Sequence, residues 1–314
     1  MNRIVFMGTP DFAVPILQKL IETQQVVGVV TQPDKPAGRG KKMRPSPVKV
    51  AAQAAGLPVF QPKSLRKKVQ AAQLREWEPD AIVVAAFGQI LRPHVLDLPP
   101  HGCINVHASL LPRWRGASPI QHAILEGDAQ SGVCLMHMDV GLDTGAVYSC
   151  ESTPLAQDET AQSLHDRLAE LGALLIERDF PKVLAGELTA VPQDDALSCY
   201  APMISKADGQ IDWQNSAEKI DRQIRAMSPW PSAFTFWNGK QLKIANGVPL
   251  AEHDSSVKQA PGTVLKIQDN IAIVAGDGLI QLDRIQLQGK KAMRVTDFVH
   301  GRPQFIGDRL TSSQ

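Results

Sequence analysis

The first half of the chain alternates short apolar runs with stretches in which apolar residues recur every three or four positions. The runs predict strands, and the longer spacing predicts helices. We expect strands at residues 4–7, 26–30, 58–60, 81–86, 103–106, 133–138 and 146–150, and helices at residues 11–22, 46–55, 65–77 and 160–184. Strands and helices that alternate at this spacing predict an α/β fold with a doubly wound, mostly parallel, Rossmann-like sheet.

The pattern changes near residue 185, where the chain becomes polar and weakly periodic. One more helix is predicted at residues 218–227, and short strands separated by turns follow it. Asn238-Gly239 lies between two of these apolar runs and is a strong hairpin signal. We therefore expect a Rossmann-like domain at residues 1–188, a linker at 189–207 and a small OB-like β-barrel at 208–314.

Composition narrows the class of protein. Of the 314 residues, 43% are apolar and 21% are charged, as in a globular protein, and the formal net charge is +1. Nucleic-acid binding would therefore depend on local basic patches. No apolar run approaches the roughly 20 residues that span a bilayer, and the first residues do not form a secretory leader. We expect a cytoplasmic protein without membrane contact, and a monomer, because no exposed apolar stripe stands out.

Cysteines and histidines do not suggest a metal centre. No cysteine pair has the C-x-x-C spacing of a zinc knuckle or a redox site, and three of the four lie in apolar runs. We expect thiols packed as small apolar side chains. The cysteines are Cys103, Cys134, Cys150 and Cys199. Five of the eight histidines are scattered along the chain without metal-ligand spacing: His94, His101, His107, His122 and His137.

The stretch NVHASLLP, at residues 105–112, follows a predicted strand and carries the strongest candidate chemistry. The two-residue period of a strand places Asn105 and His107 on the same face. An amide N–H can stabilise an oxyanion, and an imidazole beside it can transfer protons. Asp143, in the loop from Gly141 to Gly145, could orient that imidazole. Taken singly, these residues fit equally well as polar groups at a strand end and in a turn, and their spacing leaves both interpretations open.

A basic loop follows the second predicted strand. Asp34 is the only acid among its six cations, and four prolines are expected to exclude regular structure there. A flexible cationic loop suits contacts with phosphates, although such a loop can also be an ordinary solvated connection. It lacks the P-loop spacing, and Gly8-Thr9-Pro10 lacks the dinucleotide fingerprint, which argues against an NTPase and a nicotinamide dehydrogenase. The cations are Lys35, Arg39, Lys41, Lys42, Arg44 and Lys49.

The sequence resembles the folate-dependent formyltransferases. It shares their pattern of an Asn-x-His pair, a Ser-Leu-Leu-Pro segment directly after it and an aspartate further along the chain. The resemblance runs from about residue 3 to residue 310. The flanking segments are most similar to members that act on methionyl-tRNA: FMGTPDFA at 6–13, TQPDKPAGRG at 31–40, LPRWRGASPIQ at 111–121, MDVGLDTG at 138–145 and IDW at 211–213. Two departures are small: Phe87 stands where tyrosine is usual, and His137 where glutamine is expected.

The resemblance implies an enzyme that uses 10-formyltetrahydrofolate as co-substrate and initiator methionyl-tRNA as acceptor, with no metal. It makes Asn105, His107 and Asp143 the catalytic residues. It implies a folate site at Phe87, Gly88, Ser109, Leu110, Leu111 and Pro112. It implies tRNA contacts in the basic loop, with Arg39 foremost, at Lys35, Arg39, Lys41, Lys42 and Arg44. Small barrels of the predicted type commonly bind oligonucleotides, and its candidate phosphate contacts include Lys206, Lys243 and Lys290.

Two alternatives remain open at this point. One is the same chemistry with another acceptor, such as glycinamide ribonucleotide or an amino sugar; the basic loop and the barrel argue against the first of these. The other is a tRNA-binding protein that has lost catalysis, against which the intact Asn105, His107 and Asp143 set argues.

Overall fold

The computed structural model describes residues 2–37, 40, 42–250 and 259–312. By its internal contacts the chain separates into two compact units. The first contains Met1–Pro119, Gln130–Pro154 and His165–Pro202, and the second contains Ile120–Ala129, Leu155–Leu164 and Met203–Gln314. Residues 189–202, part of the predicted linker, are thus grouped with the first unit.

A seven-stranded sheet forms the centre of the first unit. The strands, including short ones outside this sheet, are β1 (Arg3–Gly8), β2 (Gln25–Val30), β3 (Lys35–Ala37), β4 (Lys42–Arg44), β5 (Val59–Phe60), β6 (Ala81–Ala85), β7 (Cys103–His107), β8 (Arg115–Gly116), β9 (Gln130–His137), β10 (Val147–Pro154) and β11 (Tyr200–Ala201). The order in the sheet is β10-β9-β7-β6-β1-β2-β5. Strands β5, β2, β1, β6 and β7 are parallel, and β9 is antiparallel to both of its neighbours.

Helices connect most of these strands, as the apolar periodicity predicts. In chain order the helices are α1 (Ala13–Thr23), α2 (Pro47–Ala54), α3 (Ala72–Glu76), α4 (Pro93–Leu96), α5 (Pro119–Leu125), α6 (Ala161–Arg178), α7 (Phe180–Leu184), α8 (Ala217–Ala226) and α9 (Val295–His300). Every residue of β6 and β7 is buried, as expected for strands in the middle of a parallel sheet. The predicted Rossmann-like fold is confirmed.

The strand order reverses direction between β1 and β6. In open α/β sheets, ligands bind at such a point, outside the carboxyl ends of the strands. Here those ends are Gly8, Ala85 and, on the next strand, His107. The fold therefore directs attention to this edge of the sheet.

Two predicted helices are shorter than expected. The predicted helix at 65–77 consists of a 3₁₀ turn, Lys68–Ala71, followed by α3. The predicted helix at 160–184 is divided into α6 and α7 at Asp179, because Pro181 cannot donate a hydrogen bond to a continuing helix. Pro181 is instead tolerated in the first turn of α7, where that donor would have no partner.

The expectation that prolines exclude regular structure from the basic loop is wrong. β3 and β4 form a short antiparallel hairpin in which Lys35 pairs with Arg44 and Pro36 with Met43. Proline is compatible with this arrangement because both strands of a two-stranded sheet are edge strands, so a missing N–H can face solvent. Pro47, in turn, occupies the first turn of α2, which Ser46 caps by accepting a hydrogen bond from the Lys49 amide.

The expectation that all four cysteines are thiols is also wrong. Cys134 on β9 lies directly opposite Cys150 on β10, with their Cα atoms 4.1 Å apart, and the two form a disulfide. Spacing along the chain cannot predict this pairing because it depends on the register of two strands. Cys103 and Cys199 are free, and burial raises the pKa of the Cys103 thiol to about 12.

The second unit is built around an antiparallel sheet. Its strands are β12 (Ala233–Trp237), β13 (Lys240–Leu250), β14 (Val264–Ile267), β15 (Asn270–Val274), β16 (Leu279–Leu287) and β17 (Met293–Arg294), in the order β12-β13-β16-β15-β14, with β17 beside β16. Thr311 bridges to Phe236 on β12, and Arg309 bridges to Thr263 beside β14. Residues 309–311 therefore join the two edge strands, as a small barrel requires.

The core of this second unit is apolar and includes one face of α8. Ile220 and Ile224, one turn apart on that helix, are buried with Trp213 and Trp237. The buried Trp213 indole N–H donates to the Thr235 hydroxyl at 3.0 Å, which satisfies its polar atom. In the part of the chain that the structure describes, no helix has the length and apolar character needed to cross a membrane.

Candidate active site

Asn105 and His107 lie at the carboxyl end of β7, two residues apart and hence on one face of the strand. Asn105 is 8% exposed and His107 is 6% exposed. The Asn105 side-chain amide makes no hydrogen bond with any residue that the structure describes. With no partner among the described residues, this amide is available to a ligand.

His107 is held by a backbone carbonyl. Its Nε2 lies 3.0 Å from the Trp114 carbonyl oxygen. A carbonyl can only accept, so Nε2 carries the hydrogen, and Nδ1 holds the lone pair in the neutral ring. Nδ1 lies 3.8 Å from Asp143 Oδ2. The nitrogen that is free to exchange a proton is therefore the one that faces the carboxylate.

Asp143 is fixed from the other side. Its Oδ2 accepts a hydrogen bond from the Gly116 amide at 2.9 Å, and its side chain is 15% exposed. A carboxylate near a histidine stabilises the charged imidazolium. The structure thus brings His107 and Asp143 together and places Asn105 on the same face of β7 as His107, while the catalytic roles of all three stay predictions.

Three non-glycine residues near this pocket have positive φ angles: Ala86 at 47°, Trp114 at 62° and Asp143 at 53°. L-residues rarely adopt this left-handed region, least of all bulky ones such as tryptophan. Strained backbone of this kind concentrates at functional sites, where the surrounding structure maintains it. The sequence indicated neither Trp114 nor Gly116 as a partner of the pair, because both act through backbone atoms.

The residues predicted to bind folate have mixed surroundings. The Phe87 side chain is 2% exposed and packs in the core with Val5 and Leu91, whereas Gly88 is exposed. The Phe87 carbonyl accepts hydrogen bonds from Thr9 Oγ1 at 3.1 Å and Gln32 Nε2 at 3.2 Å. A ligand at this position would therefore meet the backbone and not the ring of Phe87.

The Ser-Leu-Leu-Pro segment follows β7 directly. Ser109 is fully buried, and its Oγ donates to the Arg113 carbonyl at 2.7 Å, which holds the turn. Leu110, Leu111 and Pro112 are half-buried. These three side chains can still offer apolar contacts to a ligand, and their role in folate binding stays a prediction.

Comparison with known proteins identifies the family. The sequence profile described as "Formyl transferase" matches residues 1–178, and "Formyl transferase, C-terminal domain" matches residues 203–303. The methionyl-tRNA formyltransferase of Citrifermentans bemidjiense is 49% identical over 95% of this chain and 93% of its own length. This chain belongs to the formyltransferase family. The methionyl-tRNA formyltransferase of Geobacter sulfurreducens is 46% identical over 98% of this chain and 96% of its own length.

Solved structures share the fold of this formyltransferase. WlaRD, a sugar 3N-formyltransferase crystallised with dTDP and 5-N-formyl-THF, superposes with a TM-score of 0.66 over 93% of this chain and 99% of its own, at 20% identity. The N-formyltransferase of Helicobacter canadensis, in complex with folinic acid and dTDP-3-aminofucose, gives the same TM-score over 90% of this chain and 99% of its own. At about 20% identity these likenesses establish the fold and leave the acceptor open.

The cations predicted to contact tRNA are mostly at the surface. Lys35, Lys42 and Arg44 are exposed on the β3–β4 hairpin, whereas Arg39 and Lys41 lie outside the described residues. In the second unit Lys206 and Lys290 are exposed, and Lys243 Nζ lies 3.3 Å from the Ser232 hydroxyl.

Lys290 lines a cavity of about 610 Å³ in the second unit, together with Lys240, Arg302 and Trp237. Arg302 stacks on the Phe298 ring at 4.7 Å, which fixes its guanidinium. Among the described residues, no group of three or more His, Cys, Asp or Glu side chains could hold a metal ion.

Proposed function

We propose that this formyltransferase moves the formyl group of 10-formyltetrahydrofolate to the amino group of methionyl-tRNA, the initiator form, and so produces N-formylmethionyl-tRNA. The observation that carries the chemistry is the position of Asn105, whose side chain makes no hydrogen bond with any described residue, two residues from His107 on one face of β7. The observation that carries the acceptor is the 45–49% identity, over almost the whole chain, to relatives named methionyl-tRNA formyltransferase.

The reaction begins with a neutral amine. An α-amino group has a pKa of roughly 7.7–8.0, so it loses its proton readily near neutral pH. Its nitrogen adds to the formyl carbon, and the formyl oxygen gains negative charge. The Asn105 N–H donates to that oxygen, and it needs no rearrangement because it has no other partner among the described residues.

Proton transfer completes the exchange. As the new C–N bond forms, the His107 Nδ1 lone pair accepts a proton from the attacking nitrogen, and Asp143 at 3.8 Å stabilises the resulting imidazolium. The same proton passes to the folate nitrogen as its bond to the formyl carbon breaks. One bond forms, one breaks and one proton moves from the amine to the folate, without any net charge left on His107.

The hairpin supports a polyanionic acceptor. Lys35 and Arg44 are cross-strand partners, and Lys42, two residues from Arg44, shares their face. Like charges directly opposite each other are destabilising unless something neutralises them. Lys49, by contrast, is paired with Asp34 at 2.8 Å. Lys35, Lys42 and Arg44 form no ion pair within the described ranges of the chain, and their shared face suits the phosphates of an acceptor stem.

The second unit supplies another basic surface. Lys240, Lys290 and Arg302 surround one cavity beside Trp237, so cations and an aromatic ring lie together. This combination is common where proteins hold single nucleotides or phosphates. We assign this surface to the body of the tRNA, together with Lys206 and Lys243.

The test is formyl transfer by the purified protein from 10-formyltetrahydrofolate carrying a labelled formyl group. Acceptors are initiator methionyl-tRNA, glycinamide ribonucleotide and an amino-sugar nucleotide, each over the same range of concentrations. We expect label on methionyl-tRNA alone. Label on a small amine with none on tRNA would contradict the proposed acceptor, and label on none of them would contradict the proposed reaction.

A translation enzyme of this kind would work in the cytoplasm, and we propose that it does so as a monomer. Sedimentation equilibrium at micromolar concentration would then report the mass of one chain, 34.1 kDa. A mass that doubles over this range would contradict the monomer.

A further inference from the structure

The segment at residues 191–200 is exposed except at two positions, Gln193 and Cys199. Both inward-facing residues contact the surroundings of the proposed catalytic pair. Cys199 Sγ accepts a hydrogen bond at 3.3 Å from the amide of Trp114, whose carbonyl holds His107. Gln193 contacts the loop that carries Asp143. A segment that the sequence predicts as part of a linker thus contacts Asp143 directly and contacts Trp114, which in turn holds His107.

Gln193 joins two backbone carbonyls of the Asp143 loop. Its Nε2 donates to the Asp143 carbonyl at 2.8 Å and to the Gly145 carbonyl at 2.7 Å. Asp143 has a positive φ of 53°, which is uncommon for a non-glycine residue although aspartate adopts it more readily than most, and hydrogen bonds to the loop support it. The amide of Gln193 provides such support on one side, and the Gly116 amide provides it at the carboxylate.

Arg115 determines which way the Gln193 amide points. Arg115 Nε donates to Gln193 Oε1 at 3.0 Å, and an arginine cannot accept a hydrogen bond. If the amide were flipped, its NH₂ group would face the guanidinium and its oxygen would face two carbonyls. The partners on both sides therefore select one orientation, with the N–H groups directed at the Asp143 loop.

The ion pair between Arg115 and Asp195 also connects the 191–200 segment to β8, but it contributes less than the Gln193 hydrogen bonds. Arg115 Nη2 lies 2.8 Å from Asp195 Oδ1, but the Asp195 side chain is 83% exposed. Exposed ion pairs of this kind contribute little. The connection from the 191–200 segment to Asp143 accordingly depends on the partly buried Gln193.

We propose that Gln193 is a positioning residue: it holds the Asp143 loop so that the carboxylate faces His107 Nδ1 while the imidazole carries the proton. Because it concerns the same pocket, this inference rests on the function proposed above. The Gln193 amide is already bonded to the two carbonyls and to Arg115, so we expect its loss to reduce turnover and to leave the affinity for both substrates unchanged.

The variants Gln193→Ala and Gln193→Glu distinguish the hydrogen bonds that Gln193 donates from the packing of its side chain. Glutamate keeps the size and can accept from Arg115, but as a carboxylate it cannot donate to the two carbonyls. Leu197→Ala, at a 68% exposed position in the same segment, is the matched control. A small displacement of a catalytic group can cost about 10²-fold in rate. We expect both Gln193 variants to lower kcat about 10- to 100-fold, with both KM values within about twofold, while Leu197→Ala behaves as wild type.

A double variant tests whether the effect passes through Asp143. In an Asp143→Asn background, Gln193→Ala should reduce kcat by less than about twofold, since residues that act together are not additive. Multiplicative losses in the double variant, or wild-type kcat in Gln193→Glu, would overturn the assignment. Failure of the wild-type protein to formylate methionyl-tRNA would instead count against the proposed function.

If the wild-type protein did not formylate methionyl-tRNA, the role of Gln193 could still be tested by a measurement that does not depend on turnover. Hydrogen exchange of the Gly116 amide reports its bond to Asp143 Oδ2. We expect this amide to exchange about tenfold faster in Gln193→Ala than in Leu197→Ala. Equal exchange in the two variants would show that Gln193 does not hold the loop.

Discussion

At the scale of single residues, the proposed reaction gives the Asn105 amide and the His107 imidazole separate tasks, because the two side chains have different hydrogen-bond partners. Asn105 has none among the described residues, so its N–H can meet an oxygen that becomes negative. His107 is tied at Nε2 to the Trp114 carbonyl and keeps Nδ1 for proton exchange beside Asp143. The division follows from which atoms are already bonded, and it assigns stabilisation of charge to Asn105 and proton transfer to His107.

Replacing His107 by alanine removes the proton carrier. We expect kcat to fall by about 10²–10⁴, the usual contribution of a general acid–base group, while tRNA affinity stays within about twofold. The hydrogen bond between His107 Nε2 and the Trp114 carbonyl is also lost, so the free energy of unfolding should fall by about 0.5–1.5 kcal/mol. Steady-state kinetics and urea unfolding measure the two effects. His101→Ala is the control, and undiminished turnover in His107→Ala would exclude the assigned role.

At the scale of elements, the β3–β4 hairpin presents like charges that form no ion pair with any residue in the described part of the chain. Lys35 faces Arg44 across the two strands, and Lys42 is on the same face. Such a face gains most when an anion neutralises it. The hairpin should therefore contribute to tRNA binding and not to the reaction step.

Neutralising this face by Lys35→Ala, Lys42→Ala and Arg44→Ala together should raise KM for tRNA at least about tenfold and leave KM for the folate unchanged. Each lost phosphate contact lowers the slope of log affinity against log salt by about one, so the slope should fall by about three. Filter binding over a salt series measures it. Lys182→Ala, an exposed cation on α7, is the control. A slope equal to that of the wild type would remove the hairpin from the interface.

Asp179, at the break between α6 and α7, links stability to pH. Two hydrogen bonds from Arg178 lower the pKa of this carboxyl below its ordinary value of 3.8, despite burial. A lowered folded-state pKa stabilises the protein above pH 3.8, and this contribution disappears as pH falls through the lowered pKa.

Asp179→Asn should therefore lose about 1 kcal/mol of stability at neutral pH, since the exposed side of Arg178 is screened by solvent. Its unfolding free energy should depend less steeply on pH below 4 than that of the wild type. Urea unfolding between pH 2.5 and 7 measures the difference, with the exposed Asp195→Asn as control. Parallel curves for Asp179→Asn and wild type would show that Asp179 does not contribute this pH dependence.

The secondary-structure elements also show which features of the fold the sequence can predict. Apolar runs located β1, β2, β6 and β7 closely, because strands in the middle of a sheet are buried on both faces. The period of a strand placed Asn105 and His107 together. The β3–β4 hairpin was missed because its two short strands bury little and contain proline. The hydrogen bond between His107 and the Trp114 carbonyl could not be predicted from the sequence, because every residue type has a backbone carbonyl.

At the scale of the whole molecule, the net charge of +1 is too small to attract a polyanionic substrate by itself. Local clusters of basic side chains must provide that attraction. The second unit has one such place, the cavity lined by Lys240, Lys290 and Arg302. Lys240 and Lys290 at this cavity are exposed and lie outside the apolar core, so their charges can be changed without altering core packing.

Lys240→Glu combined with Lys290→Glu should raise KM for tRNA by about tenfold or more, since two attractive charges become repulsive. The rate at saturating tRNA should stay within about twofold, because the reaction takes place in the first unit. Kinetics at fixed salt measure this, and Lys266→Glu, an exposed lysine on β14, is the control. An equal effect in the control would show that the change reflects net charge and not this cavity.

Asn105 is the residue on which the proposed reaction depends most. The decisive measurement is single-turnover formylation with enzyme in excess over labelled methionyl-tRNA, for wild type, Asn105→Ala and Asn105→Asp. Loss of one donor to an oxyanion costs about 10²–10³ in rate, so we predict that loss for alanine, a rate no higher for aspartate, and unchanged tRNA affinity in both. An Asn105→Ala rate within a few-fold of wild type would contradict the account.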